Sequence, residues 1–188
     1  MLDSPAPPLP LTPVTSSESA LGARILKVNH AGENGAIHIY AAQIVVARLT
    51  APSMVAELKE FKAHEERHRA IFGAELQRRG VRRCRSYLLC GAGGWLLGAI
   101  TGLFGRHAIA ATTVAVERVV LSHLTEQLAA LAGHDDAAIA AIRQIVDEEQ
   151  HHHDQSASHL APGQFWPRVL SPVVAASTES VIWLGMRL

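Results

Sequence analysis

The sequence predicts an all-α protein whose core is a four-helix bundle, and three observations carry this prediction. Long helical patterns are separated by short breaks that contain glycine or proline. A spaced set of polar residues recurs in both halves of the chain at one offset. An uncharged segment joins the two halves and is long enough to cross from one helix pair to the other.

The recurring set consists of glutamate and histidine. In the first half, Glu33 stands alone on a helical pattern and is followed 32 residues later by Glu65, with His68 three positions on. The same order returns 84 residues later, so the set is unlike an isolated Glu-x-x-His motif, which arises often by chance. The second-half members are Glu117, Glu149 and His152, and Gln43 with Gln127 follows the same offset.

Helical geometry explains the spacing. Residues three apart lie on one face of a helix, so each Glu-x-x-His pair directs a carboxylate and an imidazole the same way. Four glutamates and two histidines from four helices form the ligand set of di-iron or di-manganese carboxylate bundles. Four carboxylates buried together without a metal ion would be very unfavourable.

Neighbouring residues offer rival ligands. Glu66 has no histidine three positions later, whereas Glu148 and His151 have the correct spacing; the repeat favours Glu65, Glu149 and His152 instead. The remaining neighbours, His64, His151 and His153, are expected to be solvated or to lie beside the ligands.

Two further residues are candidates for the surroundings of the ligands. Tyr40 lies two turns beyond Glu33 on the same face, and His123 lies on the helix of Glu117 but about 100° away from that face. Gly32 and Gly35 flank Glu33 inside the helix at a cost of roughly 1 kcal/mol each. We expect them to permit close backbone approach to the site.

The helix boundaries follow from caps and breaks. Residues 1–18 form a proline-rich tail predicted to be disordered, and 19–188 form a single domain. Helix 1 begins near 17–19 and ends at about Leu49. Helix 2 runs from an N-cap at Ser53 to 78–79, helix 4 from about His107 to Ala132, and helix 5 from 135–136 to about Leu160.

The crossover segment, 86–105, carries no charge and has the length of a transmembrane helix. A single span would place the two Glu-x-x-His helices on opposite sides of a bilayer and divide the metal site. We therefore expect a crossover helix that lies on or dips into one leaflet, or one buried against the bundle or a subunit interface. Gly94, Gly98 and Gly102 recur every fourth residue and predict a flat face for close helix packing.

The last element, 171–188, is predicted to be an amphipathic helix that begins at Ser171 and Pro172. Trp183 near its end suits a membrane interface, and docking on the bundle is the equal alternative.

Composition limits the partners. The formal net charge is zero and the isoelectric point is about 7.2, so no nucleic-acid partner is indicated. The two cysteines, Cys84 and Cys90, form neither a disulfide framework nor a zinc site, and a reducing compartment fits them.

Several motifs together resemble the demethoxyubiquinone hydroxylases of ubiquinone biosynthesis. They are NHAGENGA at 29–36, Ile39 with Tyr40, Gln43, Glu65 with His68, TVAVE at 113–117, His123 with Gln127, and DEEQHHHD at 147–154. The resemblance covers roughly 21–188. Two departures accompany it: Leu124 stands where the family usually has tyrosine, and 82–90 lacks the family's usual prolines.

The resemblance implies a ferritin-like fold with two iron ions per chain, and it favours iron over manganese. It implies an O2-dependent hydroxylation of a polyprenyl-methoxy-methyl-benzoquinol, with electrons from NADH or another donor. Because this substrate resides in a bilayer, the family implies a peripheral membrane protein, here at the cytoplasmic face of a bacterial inner membrane. A homo-oligomer or a ubiquinone-biosynthesis complex is compatible with it. The implied ligands are Glu33, Glu65, His68, Glu117, Glu149 and His152, with Glu65 and Glu149 as natural bridges.

Other functions remain alternatives at this stage. A ferritin-like peroxidase usually carries a Cys-x-x-Cys module, which this sequence lacks, and an iron store would not explain the uncharged crossover. A non-enzymatic scaffold for quinone biosynthesis would bind metal without consuming O2.

Overall fold

The computed structural model describes residues 16–187, with side chains from residue 20, and this part of the chain is helical without strands. The prediction of an all-α fold is confirmed. The tail predicted at 1–18 lies outside the described residues as far as 15, and its last three residues belong to the first helix. The helices are α1 (Ser16–Thr50), α2 (Val55–Arg78), α3 (Tyr87–Leu103), α4 (Arg106–Leu131), α5 (Asp136–Arg143), α6 (Val146–Ser158) and α7 (Phe165–Gly185), with a 3₁₀ turn at Pro52–Met54.

Helices α1, α2, α4 and α6 form the bundle, in which α1 packs on α2 and α4 packs on α6. Two apolar clusters fill its interior at separate levels. One contains Leu26, Phe72 and Ile142, and the other contains Met54 and Phe61. Each of these side chains is almost completely buried, so the level between the clusters is enclosed by apolar layers.

The crossover is the helix α3, and its glycines lie against α1. A Cβ atom added to Gly94 would lie 2.2 Å from the carbonyl oxygen of Gly35, and one added to Gly98 would lie 2.2 Å from that of Ile39. The glycine face predicted from the sequence therefore permits backbone contact between the two helices. The expectation for the glycines beside Glu33 was wrong in detail: Gly35 faces Cys90 of α3, and nothing lies within 4 Å of a Cβ added to Gly32.

The predicted helix 5 is two helices, which is a correction. The chain turns between Arg143 and Val146, where the amide of Ile145 donates to the carbonyl of Ile142 in a tighter i→i+3 bond. Such a turn places residues three apart on the same side. Both isoleucines are fully buried, and the tighter turn lets them enter the core together. The N-cap prediction at Asp135 is confirmed, since its carboxylate accepts from the amide of Ala138.

The last helix also starts earlier than predicted. α7 begins at Phe165, six residues before Ser171, and Pro172 lies within it. Pro167 lies in the first turn, where proline is tolerated because the amides there have no helical acceptor. At the start of helix 2, the chain forms a 3₁₀ turn, and the side chain of Ser53 makes no capping bond.

One helix in the described residues, Arg106–Leu131, is long and apolar enough to cross a membrane by length and composition. It is α4, whose apolar window is mostly buried inside the bundle. The crossover α3 is shorter than such a span.

Candidate metal centre

All six predicted ligands lie at the level between the two apolar clusters. Glu33 comes from α1, Glu65 and His68 from α2, Glu117 from α4, and Glu149 and His152 from α6. None is more than 6% exposed, which is extreme for glutamate because this residue is almost never fully buried without a partner.

The ligand-capable atoms form two groups with shared members. Glu33, Glu65, His68 and Glu149 make up the first, and Glu65, Glu117, Glu149 and His152 make up the second. Within each group the atoms lie within 4.8 Å of one another. Because Glu65 and Glu149 belong to both groups, they could bridge two metal ions, while each histidine and each lone glutamate could bind one ion.

Several buried atoms at this centre have no hydrogen-bond partner. The Nδ1 atoms of His68 and His152 make no hydrogen bond of acceptable geometry, although carboxylate oxygens lie 3.0 and 3.3 Å away, and the same holds for one oxygen of Glu65 and one of Glu149. Buried polar groups are normally hydrogen-bonded, and each exception requires an explanation. Ligation explains all four at once, so the residues present fit a pair of metal ions bound by oxygen and nitrogen.

The carboxylates perturb one another strongly. Burial and the neighbouring carboxylates raise the pKa of Glu33 and of Glu117 well above the usual value. Burial would also raise the pKa of Glu65, but His152, His68 and Glu33 outweigh it and hold that pKa far below its ordinary range. The centre therefore holds a mixture of ionised and protonated carboxyl groups when protons alone occupy it.

The histidines respond to the same carboxylates. Burial lowers the pKa of an imidazole, but the close carboxylates of Glu149 and Glu65 raise the pKa of His68 to about 10 and that of His152 to about 9. The nearest approach joins Nδ1 of His68 and Oε1 of Glu149, at 3.0 Å. A metal ion would replace the protons that these groups hold.

Tyr40 lies beside the centre, where its hydroxyl donates a 3.0 Å hydrogen bond to Oε1 of Glu117. Burial and then the charge of Glu117 raise the pKa of Tyr40 well above its usual value, so the phenol stays a donor. The tyrosine thus holds the carboxylate of Glu117, which belongs to only one of the two groups.

His123 is placed elsewhere. Its Nε2 atom lies 2.8 Å from Oε2 of Glu179 on α7, and the structure gives it no contact with the centre. The prediction that His123 lies beside the ligands was wrong, because its 100° offset from the face of Glu117 turns it towards α7. Leu124 is buried in the apolar cluster with Leu26 and Phe72.

Two residues on the outer side of the centre contact its histidines: His64, expected to be solvated or to lie beside the ligands, and Glu148, considered from the sequence only as a rival ligand. Glu148 accepts a hydrogen bond at 2.8 Å from Nε2 of His68, and His64 places Nδ1 3.0 Å from Nε2 of His152. Burial lowers the pKa of His64. The signal existed, since positions 64 and 148 also obey the offset of 84 residues.

The remaining candidates lie outside the centre. Glu66 is exposed and pairs with Lys62, while His151 is exposed and His153 contacts Asp154. The two repeated glutamines hold helices together: Gln43 donates to Thr101 on α3, and Gln127 exchanges two hydrogen bonds with Asn29 on α1.

The fold and this centre define a helical bundle that can hold two metal ions between carboxylates and imidazoles. Comparison with known proteins identifies the class further. The sequence model of the family described as "Ubiquinone biosynthesis protein COQ7" matches residues 20–185. The chain belongs to this family, so the resemblance inferred from the motifs is confirmed.

Relatives from distant organisms agree. The "NADPH-dependent 3-demethoxyubiquinone 3-hydroxylase, mitochondrial" of Dictyostelium discoideum is 33% identical over 167 residues, covering 87% of this chain and 76% of the relative. The protein of that name from Homo sapiens is 33% identical over 172 residues, with coverage of 88% and 77%. The "3-demethoxyubiquinol 3-hydroxylase" of Rhodospirillum rubrum is 33% identical over 178 residues, with coverage of 93% and 82%.

Proposed function

We propose that this protein is an O2-dependent di-iron monooxygenase that hydroxylates the ring of a polyprenyl-methoxy-methyl-benzoquinol in ubiquinone biosynthesis. The observation that carries the proposal is the pair of ligand groups sharing Glu65 and Glu149, in a chain that belongs to the COQ7 family. The names of the relatives supply the reaction and the substrate class.

The six candidate ligands fall into two sets, one for each ion. Glu33 with His68 would hold one ion, Glu117 with His152 would hold the other, and Glu65 and Glu149 would be shared between them. When bound, the iron ions would activate O2 and pass to it the electrons that an external donor supplies.

The protein supplies the surroundings. Tyr40 holds one oxygen of Glu117 and leaves the other free to face the ion. Above and below, Phe61 and Phe72 are fully buried and exclude water from the level of the ligands. A dry site strengthens the interactions among charged groups and protects reactive species from water.

An apolar outer surface suits a substrate with an isoprenoid tail. The large side chains of α3 point away from the bundle, with Leu88 68% and Trp95 54% exposed, and α7 adds Val173 and Trp183. Phe104, at the end of α3, packs on Trp166 of α7 with ring centroids 4.6 Å apart, so the two surfaces meet. We propose that this surface rests on one leaflet of a membrane and that the quinol reaches the centre from there.

Basic residues at the start of α3 favour an anionic membrane. Arg82 and Arg85 are exposed, and no hydrogen bond or ion pair is found for either within the described residues. Arg83 lies over the ring of Tyr87. A basic residue near an anionic surface contributes about 1 kcal/mol. We assign the protein to the cytoplasmic face of a bacterial inner membrane, where the free thiols of Cys84 and Cys90 would stay reduced.

The reaction is tested directly. Protein in detergent is loaded with Fe²⁺ without air, mixed with a short-tailed demethoxyquinol, and exposed to ¹⁸O2. Mass spectrometry should find one labelled oxygen on the ring, because the oxygen comes from O2 rather than water. Glu65→Gln should abolish the product, whereas Glu66→Gln, one position away and exposed, should leave it intact.

The outcome separates the alternatives. Labelled product in both variants would show that Glu65 is not an essential ligand of the centre. Bound iron with no product would favour a peroxidase, an iron store or a scaffold. NADH, NADPH and a chemical reductant compared in the same assay would identify the donor, and light scattering of the purified protein would show whether a homo-oligomer forms.

A further inference from the structure

The two histidines at the centre each turn one nitrogen inward and the other outward. Nδ1 of His68 and Nδ1 of His152 face the carboxylates and have no hydrogen-bond partner. Their Nε2 atoms contact Glu148 and His64, respectively. The metal-facing and outward nitrogens are therefore distinct in both rings.

The outward nitrogen of each histidine contacts a residue of the other helix. His64 lies on α2 but contacts the histidine of α6, and Glu148 lies on α6 but contacts the histidine of α2. His64 Nδ1 and Glu148 Oε2 lie 3.8 Å apart, and Arg67 donates to the other oxygen of Glu148 at 2.7 Å. Glu148 and His64 thus lie next to each other on the outer side of the centre, and each is hydrogen-bonded to one of the two candidate histidine ligands.

Proton positions follow from the ligand role. An imidazole that offers Nδ1 to a metal must carry its proton on Nε2, which then donates outward. Glu148 accepts the hydrogen bond from Nε2 of His68 with a carboxylate oxygen. His64 accepts the hydrogen bond from Nε2 of His152 with an unprotonated Nδ1. A carboxylate is the stronger acceptor and makes the imidazole a more basic ligand. The repeat has therefore placed unlike partners at equivalent positions.

We propose that Glu148 and His64 are positioning residues that fix the tautomer and the ring orientation of His68 and His152 and make the two metal positions inequivalent. The position served by His68 binds its ion more tightly, because the charge of Glu148 supports it. This inference rests on the two-metal centre of the proposed function.

The test is a titration of the metal-free protein with Co²⁺ in the absence of O2 and substrate. Co²⁺ reports ligand geometry through its visible spectrum, so the experiment has a readout that does not involve activity. Wild-type protein should bind two ions in resolved steps. Glu148→Ala should weaken the tighter step by about 10- to 100-fold and change the spectrum of the first ion. Glu148→Gln, which keeps an acceptor oxygen without the charge, should fall between the two.

The second partner is tested with His64→Phe. The rings of His64 and His152 are stacked, with centroids 5.2 Å apart, so phenylalanine keeps the aromatic neighbour and removes the acceptor. This variant should weaken only the weaker step. Glu66→Gln is the matched control on the same helix and should titrate as wild type. Circular dichroism establishes whether each variant is folded. If Glu148→Ala does not fold, the titration of Glu148→Gln tests the role of Glu148 in its place.

The outcomes distinguish this inference from the function on which it rests. Two ions bound by the wild type, with unchanged steps and spectra in the Glu148 and His64 variants, would overturn the inference and leave the hydroxylase proposal intact. Equal weakening of both steps by either variant would overturn the inequivalence. A wild-type protein that binds fewer than two ions would overturn the two-metal centre and the inference together.

Discussion

Metal binding at the centre should release protons from its histidine and carboxyl side chains. In the metal-free centre, the raised pKa values of about 10 for His68 and about 9 for His152 keep both imidazoles protonated at pH 7. Metal ligation requires both to be neutral. Filling the centre should therefore release at least two protons, and up to four, since Glu33 and Glu117 also have raised pKa values.

The expected magnitude follows from mass action. Each proton displaced makes the binding constant rise about tenfold per pH unit. The combined constant for two Co²⁺ ions should rise at least about 100-fold per unit between pH 6 and 8. Calorimetric titrations in two buffers with different enthalpies of ionisation measure the proton count directly. Release of fewer than one proton per pair of ions, or binding that does not vary with pH, would refute the reasoning.

A matched variant locates the protons. His123→Gln should release as many protons as the wild type, because His123 contacts Glu179 on α7 rather than the centre. His152→Gln should release at least one fewer. Equal losses in both variants would mean that the released protons do not come from the ligands.

The same pKa values set how the metal-free fold responds to pH. A histidine whose folded pKa is raised contributes stability that is full below its unfolded pKa of about 6.5 and is lost as pH rises through the folded value. The melting temperature of the metal-free protein should therefore fall between pH 7 and 10. With Co²⁺ bound, the ligands are already deprotonated and this fall should be smaller.

Four further substitutions test the packing, the caps and the hydrogen bonds of the helices that form the bundle. Gly98→Ala should lower the melting temperature by about 4–8 °C, because strain of about 3 kcal/mol at the seam with α1 exceeds a helix gain of about 1 kcal/mol. Gly93→Ala, an exposed position on the same helix where nothing lies within 4 Å of an added Cβ, should raise it by about 2–4 °C. Tyr40→Phe should cost about 1 kcal/mol in chemical denaturation and weaken the second Co²⁺ step, since the buried Glu117 loses its donor; an unchanged titration would remove the tyrosine from the site. Asp135→Ala should cost about 1–3 kcal/mol in urea unfolding, because α5 loses its cap and the partly buried guanidinium of Arg79 loses one of its two carboxylate partners.

The convergence of the six candidate ligands could be predicted because it depends on spacing within single helices. Glu65 and His68 share a face wherever α2 lies, and the repeat in the second half then selects the matching pair. The partners of the outward nitrogens depend instead on how α2 and α6 lie against each other. For this reason Glu148 could be considered only as a rival ligand from its spacing, whereas the structure shows it bonded to His68.

The errors in helix boundaries have a similar origin. The turn between α5 and α6 has no glycine or proline to mark it, and it arises because Ile142 and Ile145 both enter the core. At α7, Ser171 and Pro172 are residue types that favour a helix start. The helix begins at Phe165 instead, and Pro167 is the proline that occupies its first turn. At both places the local sequence is compatible with more than one helix boundary, and the packing of the helices determines which boundary forms.

The side chains of α3 are arranged in the reverse of an ordinary amphipathic helix. A helix of a water-soluble bundle turns its bulky apolar side chains inward, but α3 turns Gly94 and Gly98 inward and leaves Trp95 and Leu96 more than half exposed. The contact of glycine with the backbone of α1 holds the helix close to the bundle without using its large side chains. Because α1 also carries Glu33 and Tyr40, the same contact connects the apolar surface to the helix that supplies the centre. A membrane-bound substrate entering beside α3 would therefore meet the structural element that holds one end of the metal site.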